Sequence, residues 1–336
     1  MKNLVLFTAV LLFTATAFSQ TARVQVIHNS ADAAASEVDV YLNSGIAIDD
    51  FAFRTATTFL DLPAGSPIDL SVAPGNSTGV GDALLTVTVT LMPDETYIVV
   101  ADGIVSGSGY NPAPPLSLQI YPMGRETASN TANVDVLVHH GSTDAPTVDV
   151  VETGVGAGTI VDDISYSEFD GYLELPTADY TLEVRLADGS QPGVAAYQAP
   201  LSTLMLDGAA LTVLASGFLD PSQNSNGPAF GLFVASPLGG DLLALPTAAL
   251  GIDEFGSNAL RVFPNPTSDF ITLSAAGYDL SNTSLQITDM LGRIVAEDVI
   301  VSENQAIDVT RLKAGVYQVN VLRDAAFVYT KRFVKE

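Results

Sequence analysis

Cysteine is absent from this 336-residue chain. Without thiols there is no disulfide staple and no thiolate metal site, so packing alone must hold each domain. Positive charge is almost missing from the middle of the chain. Between Gln20 and Ser257 only Arg23, Arg54, Arg125 and Arg185 stand against 29 acidic residues, and no lysine occurs between Lys2 and Lys313. A segment this acidic repels nucleic acid and anionic lipid, which excludes phosphate-backbone binding and leaves cations as its counterions. Long apolar runs are missing too. Leu4 to Phe13 is about ten residues, against roughly 20 needed to span a bilayer, and no later stretch reaches that length without a charge or turn signal. No window holds a 3.6-residue apolar period of useful length, which argues against helices.

The charge that is present is unevenly placed. Of the net −25, nearly all lies before Asn258; from there to Glu336 eight basic residues face nine acidic ones. This step marks a domain boundary inside the segment PTAALGIDEFGSN, residues 246–258. A length of 336 predicts two or three domains, each large enough for its own core. At the other end, Lys2 and Asn3 precede the apolar run, and Ala17-Phe18-Ser19 precedes Gln20. That is the form of a secretory signal peptide, residues 1–19, with cleavage expected between Ser19 and Gln20 after passage through the Sec translocon.

The central segment contains an internal repeat. VQVIHNSADAAASEVDVYL (Val24 to Leu42) matches VLVHHGSTDAPTVDVVE (Val136 to Glu152). His28, Ser30 and Asp32 pair with His140, Ser142 and Asp144. Asp49-Asp50 aligns with Asp162-Asp163, Phe53 with Tyr166, Leu62-Pro63 with Leu175-Pro176, and Gly103 with Gly217. Each copy reads as short strands of period-2 alternation between Gly, Pro, Asn and Asp clusters. The first predicts strands at 23–29, 37–43, 56–61, 67–73, 83–91, 95–101 and 116–121. The second predicts them at 134–140, 147–151, 171–175, 179–186, 194–199, 209–216 and 230–236. About seven strands in about 100 residues suits an immunoglobulin-like β-sandwich. The expected fold is all-β, three consecutive sandwiches after the signal peptide: residues 20–127, 131–246 and, beyond a linker at 247–257, residues 258–336.

The last of these carries ordered motifs. LRVFPNPTSDFITL includes the corner Pro264-Asn265-Pro266; LQITDMLGRIV has a hairpin at Gly292; LKAGVYQVNV has another at Gly315; and the chain closes on KRFVKE with Lys331 and Arg332. This segment resembles the type A C-terminal sorting domain of the type IX (Por) secretion system. The resemblance implies export across the outer membrane, the secretion machinery and its sortase-like peptidase as partners, and a mature form released or anchored to surface lipopolysaccharide. The repeats resemble the secreted domain of unknown function 4397, through His140, Ser142, Asp144, Ala145, Pro146, Val148, Asp149 and Val150. The first copy departs from that pattern at Ala34, where proline is expected. No activity comes with this second resemblance.

The His/Ser/Asp trio invites a catalytic reading. A triad needs contacts of about 3 Å, however, and residues four apart on a strand lie roughly 13 Å apart. Val24, Val26 and His28 share one strand face, as do Val136, Val138 and His140, so each His extends a core-facing stripe. Ser and Asp then suit a turn, bonding nearby backbone. His139 points to the opposite face, where exposure is expected. Asp49-Asp50 and Asp162-Asp163 are read as solvated turn residues. Adjacent aspartates on a strand point to opposite faces, and the D-x-D-x-D-G pattern of a Ca²⁺ loop is absent, so Ca²⁺ is only a weak candidate. GVGAG (Gly154 to Gly158) lacks a phosphate loop's lysine and reads as a flexible turn. No catalytic, cofactor or metal residue is assigned. The expectation is a non-catalytic binding, adhesion or structural protein, secreted or on the outer-membrane surface, with a glycan or protein ligand and no nucleic acid. The alternative is an extracellular hydrolase or an accessory module of a surface polymer-processing system.

Overall fold

The computed structural model describes residues 20–187, 193–248, 260–275, 283–290, 293–300, 305–323 and 326–336. The signal-peptide reading of residues 1–19, most of the linker, and Gly292 lie outside them. The chain divides into two compact units between Leu250 and Gly251. Among the described residues every extended element is a strand, and the only helical turns are three short 3-10 pieces, so the fold is all-β.

The first repeat runs β1 (Thr21–His28), β2 (Glu37–Leu42), β3 (Gly45–Ala52), β4 (Thr55–Ala56), β5 (Leu60–Pro63), β6 (Pro67–Pro74), β7 (Leu85–Thr90), β8 (Thr96–Asp102) and β9 (Ser117–Pro122). Its outer sheet has the order β3-β2-β6-β7, and its inner sheet β4-β1-β8-β9, with β5 also paired to β1. Strands β1 and β8 are parallel. Alternation places Val24, Val26, Val38, Val40, Leu70, Val72 and Val99 between the two sheets as one core.

The second repeat repeats this plan. It comprises β10 (Asn133–His140), β11 (Val148–Glu152), β12 (Gly158–Ile164), β13 (Phe169–Pro176), β14 (Asp179–Leu186), β15 (Ala195–Pro200), β16 (Ala210–Ser216), β17 (Gly231–Ala235), β18 (Gly240–Asp241) and β19 (Leu243–Ala244). The inner sheet is β13-β10-β16-β17-β19 and the outer sheet β12-β11-β14-β15. Again the first strand is parallel to its neighbour, β10 to β16.

The repeats do not hang as separate beads. β18 crosses over to pair with β4 of the first repeat. A further core joins the two inner sheets back to back, with Ile27, Phe59, Ile98 and Val100 from one and Leu137, Leu214 and Ala235 from the other. The result is four stacked sheets, and the central strands of the inner two, β1, β8, β10 and β16, are buried on both faces. This accounts for the nearly continuous burial along β1 and β10, where a single sandwich would alternate.

Two hairpin strands, β3 and β12, fall where the sequence reading had turns. Asp50 and Asp163 adopt left-handed φ of 51° and 55°, and the pairing slips beside them, between Val38 and Val40 and between Val148 and Val150. These are β-bulges, which tolerate Asp in the left-handed region. The strand expected at 56–61 is in fact two short pieces, β4 and β5.

The second unit contains β20 (Leu260–Phe263), β21 (Phe270–Ala275), β22 (Thr283–Asp289), β23 (Ile294–Ile300), β24 (Ala306–Asp308), β25 (Gly315–Arg323) and β26 (Ala326–Lys335). They form sheets β20-β21-β24 and β23-β22-β25-β26. Ile271, Leu285, Ile287, Val319 and Phe333 fill its core.

Candidate functional site

The repeated His/Ser/Asp residues sit where β1 and β10 end, and all six are buried or nearly so. His28 donates from Nε2 to the Ala35 carbonyl (2.7 Å), and Ser30 donates to the Gly103 carbonyl (2.6 Å). Asp32 accepts the backbone N–H groups of Val105 (2.7 Å) and Ser106 (2.6 Å). The second copy repeats the arrangement. His140 donates to the Pro146 carbonyl (3.1 Å), Ser142 to the Gly217 carbonyl (2.7 Å), and Asp144 accepts Leu219 and Asp220 N–H (2.8 Å each). Each trio thus ties the loop after the repeat's first strand to the loop after its parallel partner. Among the described residues no His–Ser hydrogen bond forms in either copy, and Ser142 instead also donates to Asp144 at 3.3 Å. Burial holds both imidazoles below the ordinary His value, against the opposing pull of their carbonyl partners. At Asp32 burial pushes the carboxyl up, but the donors around it outweigh this and hold it below the usual range.

A polar seam runs between the repeats. Asp102 closes β8 and is fully buried. It receives His139 Nε2 at 2.5 Å and the Asn29 amide at 2.8 Å. His139 therefore corrects the sequence reading: it does face away from its own sandwich core, but the first repeat covers that face and leaves it 0% exposed. Arg54 reaches across to Ser216 Oγ (3.0 Å) and the Ala229 carbonyl (2.9 Å), with its guanidinium 3.7 Å from the Phe233 ring centroid. Burial pushes its pKa down to about 10. Gln25 donates to the Ser236 carbonyl at 2.8 Å. The other passenger arginines are engaged as well: Arg23 with Glu126 (2.7 Å), Arg125 with Asp135 (2.5 Å) and Glu174 (2.7 Å), and Arg185 with Glu183 (2.8 Å). All four cations of the acidic segment thus meet partners within the protein. The seam left one trace in the sequence, namely Gln25 and His139 set among apolar residues on faces turned away from the sandwich cores.

The aspartate pairs also differ from expectation. The bulges bring both members of each pair together with a third carboxylate from the neighbouring strand. Asp39, Asp49 and Asp50 can present ligand oxygens within 4.8 Å of one another, and so can Asp149, Asp162 and Asp163. Oxygen donors so grouped suit a hard cation such as Ca²⁺. Asp39 already accepts Asp50 N–H (3.1 Å) and the Ser77 hydroxyl (2.5 Å), and Asp149 accepts Asp163 N–H (2.8 Å), so part of each cluster's capacity is taken up internally.

GVGAG forms a carboxylate nest around Glu152, which is 2% exposed. Glu152 accepts N–H groups from Gly154 (2.7 Å), Val155 (3.0 Å), Gly156 (2.9 Å), Ala157 (3.1 Å) and Thr181 (3.2 Å). The Gly-rich loop cradles an anion after all, and that anion belongs to the chain itself.

In the second unit Pro264, Asn265 and Pro266 turn the chain between β20 and β21. Asn265 accepts Val334 N–H at 2.9 Å, which fastens the corner to β26. Gly315 opens β25, and Lys331 and Arg332 lie on β26. Gln20 directly precedes β1.

A twinned all-β passenger followed by a separate small all-β unit is the class these features define. Residues 261–336 match the secretion system C-terminal sorting domain, which implies engagement with the type IX secretion machinery and export to the cell surface or extracellular space. Residues 22–115 and 134–226 each match the domain of unknown function DUF4397, and the chain belongs to that family. No curated protein matches the chain. Among solved structures it is similar to the Bacillus anthracis TIE protein, at 9% sequence identity and a TM-score of 0.19, over 94% of this chain and 48% of that one. The chain therefore spans about half that protein's length.

Proposed function

We propose that the passenger is a non-catalytic binding, adhesion or structural protein that works on the cell surface or in the surrounding medium. The observation that carries this reading is the use of the repeated polar signature. In both copies His, Ser and Asp of the trio are engaged by backbone groups of their own repeat, so this shared signature serves loop anchoring. The internal engagement of all four passenger arginines supports the same view, since the outer surface then meets partners mainly through carboxylates, inter-strand loops and sheet faces. The ligand is a glycan or another protein. Export begins with the Sec translocon, and a sortase-like peptidase removes the tail as the passenger is released or anchored to lipopolysaccharide.

Two experiments test this. Residues 20–250 are applied to a glycan array and to extracted surface proteins, and are assayed in parallel for hydrolysis of polysaccharide and peptide substrates. Saturable binding without turnover is expected, and turnover abolished by substituting a passenger residue would overturn the reading. Separately, residues 258–336 are fused to a reporter in a host with the type IX machinery. The reporter is expected outside the cell; retention in the periplasm would remove the export route.

A further inference from the structure

We propose that the interior of the second sandwich is a binding site for a small, compact hydrocarbon group, and that the first sandwich carries the same site closed. A cavity of about 70 Å³ lies between the sheets of the second repeat, walled by side chains such as Val136, Val148, Ile164, Leu175, Ala199 and Leu232. The corresponding void in the first repeat is about 20 Å³. Strand register identifies the cause. Val148 faces Ile164 across β11 and β12, whereas Val38 faces Phe51 across β2 and β3. Tyr180 faces Ala199 where Ile68 faces Val89. The first repeat thus fills with Phe and Val the space that the second leaves beside Ile and Ala. One exchange runs the other way, Tyr180 for Ile68, and its hydroxyl donates to the Pro176 carbonyl at 2.5 Å.

The lining decides the ligand's chemistry. Aliphatic side chains dominate it, and the polar side chains at its wall belong to Tyr180 and His140, whose bonds lead to Pro176 and Pro146. An apolar void stays free of water, and a ligand with hydrogen-bonding groups would leave them unpartnered there. An engineered apolar cavity of ~150 Å³ takes benzene or xenon. The space here is about half that, which suits a xenon atom or a short or branched alkyl group. Ile160 on β12 and Leu173 and Leu175 on β13 are only partly buried. Those strands are edge strands of their two sheets and touch each other. The cavity thus lies beside the edge where β12 and β13 meet, and parting the strands there would admit either a free small hydrocarbon or the tip of a longer chain.

The proposal rests on core geometry and not on the reading of the passenger as non-catalytic, so it stands or falls separately. Its test uses the chain from Gln20 to Glu336 with labelled methyl groups and xenon as probe. Saturable shifts are expected at the Ile164, Leu175 and Val184 methyls and not at those of Val24 or Leu62. Ile164→Phe should weaken xenon binding at least tenfold, and Phe51→Ile should create a second responding site in the first repeat. If Ile164→Phe fails to fold, Ala199→Val makes the same test with the residue found at Val89. Unresponsive second-repeat methyls, or a folded filling variant that binds xenon as before, would overturn the proposal. Butane and decanoate then identify the source. Butane alone competing with xenon assigns a free hydrocarbon, competition by decanoate assigns a chain tip, and failure of both overturns the ligand assignment.

Discussion

Asp102 ties the two repeats together, because its two partners come from different repeats. Asn29 belongs to the first and His139 to the second, and all three are buried. Gly141 completes the arrangement, since a methyl there would collide with the Asn29 amide and sit 2.8 Å from Asp102 Oδ1. Removing a carboxylate that satisfies two buried donors costs roughly 1–3 kcal/mol for each donor left unsatisfied, while an exposed ion pair contributes about 1 kcal/mol at most. Urea denaturation should therefore show a large loss for Asp102→Ala and almost none for Asp61→Ala. Acid response follows from other buried groups. Burial lowers the His28 and His140 values, so each contributes fully above the unfolded pKa of about 6.5, and the contribution is lost as pH falls below it. At Glu152 burial pushes the carboxyl up, but the nest of N–H donors outweighs it and the net value is lowered. Its contribution is full above the unfolded value of about 4.3 and lost as pH falls through the folded one. Melting temperature should thus fall in two stages on acidification. Glu152→Gln should cost about 1–3 kcal/mol at pH 7, with the gap closing below about pH 4. A gap that stays constant to pH 3 would show that the nest does not depend on the charge.

The hairpin strands β3 and β12 owe their shape to one left-handed residue each, Asp50 and Asp163. Glycine adopts that conformation freely, while a β-branched residue there is strained by about 1–2 kcal/mol. Asp50→Gly should leave the melting temperature close to that of the parent, and Asp50→Val should lower it by several degrees. Equal effects would mean that the carboxylate, not the backbone, matters at this position. The same bulges explain what the sequence concealed. Period-2 alternation located β1, β2, β6, β8, β10, β14 and β16, because one face of each meets a sandwich core. It missed β3 and β12 because the aspartate pairs look like turn residues, and an inserted residue breaks the alternation that marks a strand. It also kept the two aspartates apart, since a regular strand sends neighbours to opposite faces, whereas a bulge turns them toward a common carboxylate. GVGAG concealed its role for a related reason: nothing in a run of small residues reveals that Glu152, two positions earlier, supplies the anion they enclose.

At the scale of the whole molecule, the sorting tail was legible because its motifs occur in a fixed order within one short segment. The joining of the repeats was not, because it depends on which outer faces meet. Alternation assigned His139 correctly to the face away from its own core, but says nothing of what covers that face. The seam has a thermodynamic consequence. The two inner sheets share a core of Ile27, Ile98, Val100, Leu137 and Leu214, a crossing strand pair, and the Asp102 and Arg54 contacts. Unfolding one repeat would expose that surface on the other, so the repeats should melt together. Calorimetry of the chain from Gln20 to Glu336 should show one passenger transition beside that of the tail. At ~0.7 kcal/mol per residue near 60 °C, a transition spanning both repeats carries roughly 160 kcal/mol, and a single repeat about half that. The van't Hoff enthalpy of the passenger transition should match the larger figure. In Asp102→Ala combined with Arg54→Ala the passenger should split into two transitions near the smaller one. Two transitions in the parent protein would mean that the seam is too weak to couple the repeats and that each sandwich stands on its own core.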